Sequence, residues 1–255
     1  MDSSSSPKLS VNLNKVALLR NSRTIGIPSV TKAARQCIAA GAHGITVHPR
    51  PDQRHIRFSD VFELLEIVRQ HPQIEYNIEG NPFTGLLDIV REAKPDQCTL
   101  VPDDPAQFTS DHGWDATKDG DRLGPVIEEL KTMGIRVSLF MDPDLAQIER
   151  IATLKPDRIE LYTEPYAAAF GSAQQESSWQ CYNDASRLAQ QLGMGVNAGH
   201  DLNLYNLPHF VAIPGILECS IGHALIADAL TYGLPATIGK YLQAIRGEQP
   251  ELDNE

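Results

Sequence analysis

The runs SVNLN (10–14), GITVH (44–48), EYNIE (75–79), CTLV (98–101), RVSLF (136–140), RIELYT (158–163), GVNAGH (195–200) and ECSIGH (218–223) decide the fold. Most are short, rich in β-branched residues and followed by a stretch with helical periodicity. After the first, TKAARQCIAAG (31–41) follows the start signal Pro28–Ser29 and stops at Gly41, as a glycine-capped helix does. Val61, Leu64, Leu65, Ile67 and Val68 give 60–70 a single apolar face. Helices are further predicted over 84–93, 122–133 and 144–154, with an extra helix in the crossover 164–192 and closing helices over 223–247. The long, polar, irregular segment 103–121 reads as a mobile or substrate-covering loop.

This alternation, with a period of about thirty residues per unit, fits a (β/α)8 TIM barrel with additional helices. An open doubly wound sheet shares the alternation. Eight countable strands with polar groups at their carboxyl ends favour closure, and no glycine-rich dinucleotide fingerprint follows the first strand. The expected organisation is a flexible segment over 1–8, one barrel catalytic domain over 9–247 and a polar tail over 248–255.

Composition narrows the partners. The chain has 255 residues, 42% of them hydrophobic, enough for a sizeable core. Thirty-three acidic against 22 basic residues give a formal charge of -11, which argues against nucleic acid. An anionic substrate therefore needs its own local cationic patch or amide nest. The start MDSSSSPK has no apolar signal-peptide core and no run is long enough to span a bilayer, so the cytoplasm is the expected compartment and a membrane is not an expected partner. Cys37, Cys98, Cys181 and Cys219 lie far apart without a CxxC pair and read as buried reduced thiols.

A barrel gathers the ends of its strands at one opening, which singles out His48, Glu79, Glu160, His200 and His223. His48 is followed by PRPDQRH, placing Arg50, Arg54 and His55 in one short loop suited to a phosphate or a sugar hydroxyl. Glu79 and Glu160 are carboxylates in partly desolvated positions, suited to acid/base work or to buried ion pairing. NAGH and SIGH each join a strand to a glycine and a histidine. His200 is a candidate proton donor or acceptor, and the amides at Gly222 and His223 are a candidate anion site. Asn12, Asn14 and Lys15 cluster at the end of the first strand. Lys15 suits phosphate or hydroxyl contact, with a Schiff base as the other possibility. Arg23 can reach a second phosphate, and Arg20 serves the fold or a subunit contact. The His and Glu residues come singly from different strands, without an HxH or HExxH pair, so no metal is expected.

Together VNLNKVALLRNSR (11–23), GITVHPRPDQRH (44–55), NIEG (77–80), LVPD (100–103), IRVSLF (135–140), RIELYTEPYA (158–167), VNAGHDLNLYNL (196–207) and SIGHALI (220–226) closely resemble the pyridoxine 5'-phosphate synthase family, across roughly 9–247. The resemblance implies condensation of 1-deoxy-D-xylulose 5-phosphate with 3-amino-2-oxopropyl phosphate, without cofactor, in an octamer built from dimers. It implies His48 as general base, Glu79 as acid/base group, His200 as proton donor and Glu160 as a group that positions or protonates intermediates. Asn12 and Arg23 would contact the amino-ketone phosphate, with Gly222 and His223 near a phosphate; Arg50, His55 and Thr109 would hold the ketose phosphate. Three places depart from the family pattern: Asn14-Lys15 replaces Asp-His, Tyr162-Thr163-Glu164 replaces His-Thr-Gly, and Asp201 replaces the glycine after NAGH. Lys15 still suits the ketose or its phosphate, and the Asp201 backbone amide persists. Rival readings are a phosphosugar aldolase or isomerase and a non-catalytic phosphometabolite-binding barrel.

Overall fold

The computed structural model describes residues 6–104, 106–107 and 109–252. Residues 1–5 of the expected flexible start and 253–255 of the expected tail lie outside the described residues, as do positions 105 and 108 of the expected lid. Eight parallel strands close into a barrel in sequence order: β1 (Lys8–Asn12), β2 (Gly44–Val47), β3 (Glu75–Gly80), β4 (Gln97–Leu100), β5 (Arg136–Met141), β6 (Arg158–Tyr162), β7 (Gly195–Gly199) and β8 (Ile216–Ile221). The ring is sealed by β1 against β8, with Leu9 opposite Cys219 and Val11 opposite Ile221.

Side-chain alternation divides each strand between two environments. Val11, Ile45, Ile78, Leu139, Ile159 and Val196 are fully buried and join one apolar cluster with the helices. The intervening residues face one another across the barrel, and most of them are polar, Phe140 being an apolar exception. Near its amino-terminal end Arg136 Nε donates to Gln97 Oε1 (2.9 Å), Gln97 Nε2 to Glu218 Oε1 (3.3 Å) and Arg158 Nη1 to Asn197 Oδ1 (3.0 Å). Arg136 also pairs with Glu75, which holds Lys8 at 2.6 Å. Above them, Ser10 and Thr46 hydroxyls meet at 2.7 Å, and Thr99 Oγ1 donates to Asn77 Oδ1 at 3.1 Å. A barrel of this type ordinarily fills its interior with branched apolar side chains; here hydrogen-bonded layers fill it.

Eleven helices surround the described strands: α1 (Asn14–Asn21), α2 (Val30–Ala39), α3 (Phe58–Val68), α4 (Leu87–Ala93), α5 (Ala116–Thr132), α6 (Leu145–Ala152), α7 (Glu164–Ala169), α8 (Gln175–Gln191), α9 (Leu207–Phe210), α10 (His223–Tyr232) and α11 (Leu234–Ala244). Ser29 and Asp144 start α2 and α6 by accepting backbone N–H groups of the first turn.

Two boundaries differ from the sequence reading. The first strand ends at Asn12 instead of Asn14, because Asn12 Oδ1 accepts the Asn14 N–H at 2.9 Å and turns the chain into α1. Asn14 and Lys15 therefore occupy the first turn of a helix. The helix expected from 122 begins at Ala116, capped by Asp115, whose side chain accepts the Thr117 N–H at 3.0 Å. Gly120, Gly124 and Pro125 within α5 disguise its start. The crossover 164–192 holds two helices, and α9 is an unanticipated short turn. Cys37, Cys98 and Cys219 are free and buried as expected, whereas Cys181 is free and exposed.

Arg20 serves the fold. Its side chain is almost fully buried against that of Asp60, Nη2 donating to Oδ2 at 2.8 Å and to the His55 carbonyl at 3.1 Å. Asp60 Oδ2 also accepts the Arg57 N–H, anchoring the start of α3. This staple fixes the loop after β2 against α1. Asp60→Ala leaves a buried guanidinium without its counter-charge, so a loss of about 3–5 kcal/mol is expected, read from urea unfolding midpoints of the two proteins.

Candidate active site

The carboxyl ends of the strands surround a cavity of about 620 Å³. Its walls include Asn12, Asn14, Lys15, His48, Arg50, His55, Glu79, Thr109, Glu160, His200, Asp201, Gly222 and His223. Of the site residues expected from sequence, Arg23 alone does not line it; it is exposed beyond the end of α1. Ser110, Tyr162, Glu164 and Ser220 complete the wall. Among the described residues no group of three or more His, Cys, Asp or Glu side chains is gathered as a metal site.

Two carboxyl groups lie deep in the cavity. Glu79, near the end of β3, receives long contacts from Asn12 Nδ2 (3.4 Å) and Asn77 Nδ2 (3.5 Å). Burial first, then the nearby Glu160, Glu218 and Asp103 charges, hold it well above the usual carboxylate range. Glu160, in β6, is pushed up to about 8 by burial and by Glu218, against the opposing hydrogen bond from Thr99. Gly199 lets that carboxyl lie over β7: a β-carbon there would stand 2.4 Å from Glu160 Oε1. Burial thus favours the protonated form of both carboxyls, the form that can donate a proton.

The imidazoles are shifted the other way. His200 is lowered to about 4, chiefly by burial, with His48 and Lys15 adding to the effect and Asp201 opposing it. His55 is lowered to about 3, again by burial first and then by His48, Arg50 and Lys15. Its Nδ1 accepts the Ile56 N–H at 2.9 Å, so the neutral ring carries its hydrogen on Nε2. His200 and His55 thus favour the neutral imidazole, and an anionic group beside them would oppose both shifts.

Position is as tightly set as charge. His200 has φ +81° and Asp201 φ +58°, unusual values for residues other than glycine. Thr163 Oγ1 lies 2.6 Å from the Gly199 carbonyl and 2.5 Å from that of His200, holding this turn. The His200 ring meets Phe140 and Tyr162, each with centroids at 5.2 Å. Asn14 Oδ1 accepts the His48 N–H at 2.9 Å, so Asn14 helps to position the chain at the end of β2. Gly222 and His223 open α10 at the cavity wall, where helix amides suit an anion.

Asp103, just after β4, was not among the expected site residues. Its Oδ2 stands 3.4 Å from His48 Nε2 and 3.2 Å from Arg50 Nη1. Arg50, expected to hold a phosphate, is buried and also donates through Nη2 to the Asp104 carbonyl at 2.7 Å. The signal was a carboxylate directly after an apolar strand, masked by its place at the start of an irregular loop. Tyr162 and Thr163, within RIELYT, were read as strand and as part of a departure from the family pattern, with no site role assigned to them.

A closed (β/α)8 barrel whose mouth holds protonated carboxyls, neutral imidazoles and a helix amino terminus defines an acid/base enzyme class. Residues 9–247 match the family model described as pyridoxal phosphate biosynthesis protein PdxJ, and the chain belongs to that family. It is 55% identical over 244 residues to pyridoxine 5'-phosphate synthase of Albidiferax ferrireducens, covering 93% of this chain and 97% of that protein. The synthase of Xanthomonas campestris pv. campestris is 54% identical over 250 residues, covering 95% and 97%. Among solved structures, 3-keto-L-gulonate-6-phosphate decarboxylase from Vibrio cholerae superposes with TM-score 0.63 at 12% identity, over 95% of this chain and 98% of that one. At that identity the likeness concerns the fold alone.

The raised Glu160 predicts a particular pH dependence. Folded protein retains on Glu160 a proton that the unfolded chain loses near pH 4.3, so stability falls as pH rises from there towards about 8. Glu160→Gln removes this contribution, leaving those of Glu79 and Glu218. The urea midpoint of the variant is expected to fall less between pH 5 and pH 8 than that of the parent. Equal slopes would mean that Glu160 is already ionised at pH 5.

Proposed function

We propose that this barrel is a pyridoxine 5'-phosphate synthase, joining 1-deoxy-D-xylulose 5-phosphate to 3-amino-2-oxopropyl phosphate with release of phosphate and water. The observation that carries the reading is the family match over 9–247 combined with one cavity in which His48, Glu79, Glu160 and His200 converge. Forming an imine from an amine and a ketone, eliminating phosphate, closing the ring and dehydrating it all require proton transfers in both directions. Paired acids and neutral imidazoles supply both directions without a single dominant nucleophile.

In this reading His48 removes substrate protons, and Glu79 exchanges protons with the oxygen and nitrogen of the forming imine. His200 donates to a departing oxygen once substrate charge has raised its affinity for a proton. Glu160 protonates or positions the intermediates. Arg50, His55 and Thr109 attend the ketose phosphate, with Asn14 and Lys15 beside them; Asn12, Asp201, Gly222 and His223 attend the amino-ketone phosphate, whereas Arg23 lies outside the cavity wall. The segment after β4 serves as a cover that keeps enol and imine intermediates from water. The domain extent 9–247, a cytoplasmic location and an octamer built from dimers belong to the same reading. Leu18, Leu19, Ile25 and Ile27 are exposed apolar side chains around α1 and supply a surface for a second copy; among the described residues no helix is long and apolar enough to cross a membrane.

Cofactor-free protein incubated with both substrates is expected to form pyridoxine 5'-phosphate, followed by mass and absorbance, with phosphate released in parallel. His48→Asn and His200→Asn should each lower turnover about 10²–10⁴-fold. Lys15 lines the cavity and keeps an aldolase reading testable: covalent trapping of the ketose phosphate on Lys15 by borohydride, with no pyridine product, would replace the synthase by that alternative.

A further inference from the structure

We infer that Asp103 is a positioning residue for His48, fixing which ring nitrogen acts as the base. The inference rests on the reading of His48 as general base given above. The geometry joins the ends of three adjacent strands. Asp103 follows β4; its carbonyl accepts from Asn81 Nδ2 (3.0 Å), just beyond β3, and its Oδ2 lies between His48 Nε2 (3.4 Å) and Arg50 Nη1 (3.2 Å), just beyond β2. His48, Arg50 and Asp103 are 7%, 3% and 4% exposed, so water does not screen these contacts.

A carboxylate at Nε2 can only accept, and it therefore favours the tautomer that carries hydrogen there. Nδ1 is left with a free lone pair, able to take a proton from substrate. The resulting imidazolium would have its counter-charge already in place, as in other carboxylate–histidine pairs. Arg50 performs a second task in this arrangement. Burial alone would raise the Asp103 carboxyl, but His48 and the Arg50 guanidinium bring it below its usual range, so it stays ionised. One further observation speaks against a purely structural ion pair. Asp103 Oδ1 and Arg50 Nε are both buried without a hydrogen-bond partner, an arrangement that stability alone does not favour.

The test combines spectroscopy with kinetics on the full chain. In ¹⁵N-histidine solid-state NMR, with His48 assigned by comparison with His48→Asn, the parent is expected to show protonated Nε2 and bare Nδ1. Asp103→Asn should lower kcat about 10–100-fold, with KM for either substrate changed less than about threefold, and Asp103→Glu should recover part of the loss. A structural or phosphate-site role would instead raise KM and spare kcat, which overturns the inference. A parent His48 protonated on Nδ1 overturns it even if the Asn variant fails to fold. Activity surviving His48→Asn would instead remove the general-base reading, whereas loss in His48→Asn with full activity in Asp103→Asn removes only the role of Asp103.

Discussion

The burial of ionisable groups inside a barrel lined by polar side chains is the constraint on which the rest depends. Glu79, Glu160 and Glu218 are each less than a tenth exposed, and burial raises the proton affinity of all three, with Glu218 adding to it at Glu160 and both adding to it at Glu79. An isolated carboxylate in such surroundings costs several kcal/mol to desolvate. The molecule answers this cost in two ways. Towards the amino-terminal end, Arg136 and Arg158 sit beside Glu75 and Glu218, while Gln97 and Asn197 knit the charges together. Towards the mouth, among the described residues, no cation pairs with Glu160, whose carboxyl lies 3.5 Å from the Thr99 hydroxyl, and burial favours its protonated form. The same strands thus carry a compensated layer below and a proton-holding layer above.

That division explains why the strands read as they do. Parallel strands buried on both faces ordinarily form near-continuous apolar runs. Here SVNLN, GITVH and EYNIE alternate, because only the outward face meets the helices. Alternation usually signals a sheet with one wet face, yet both faces are buried in this barrel. The helical layer therefore supplies most of the apolar burial, and polar satisfaction inside replaces packing.

The strand–helix order, the closing helices and nearly all cavity residues were legible because each depends on local pattern plus one topological rule: strand ends meet at one mouth. What escaped depends on contacts distant in sequence. The turn that ends β1 needs the Asn12 side chain to catch the Asn14 amide, and α5 starts where Asp115 caps it despite two glycines and a proline beyond. Asp103 was hidden for a different reason. Its partners lie more than fifty positions earlier in the chain, and nothing local separates it from the other aspartates of a polar loop. The position of Arg23, exposed beyond α1, likewise depends on where the helix after β1 carries it.

The protonation pattern also bears on why the histidine at the end of β7 is held so firmly. A neutral imidazole in an apolar niche is a poor proton donor until charge arrives beside it, so its usefulness depends on where that charge lands. Thr163 fixes the backbone, while Phe140 and Tyr162 limit rotation of the ring. Preorganisation of this kind leaves substrate charge, rather than side-chain motion, as the variable that changes the proton affinity of His200. Asp201 places a carboxylate near His200 and opposes the lowering by burial. Asp201 itself adopts the left-handed backbone that glycine takes most readily and that aspartate tolerates. The aspartate therefore fits the turn that presents His200 and sets a carboxylate beside that ring.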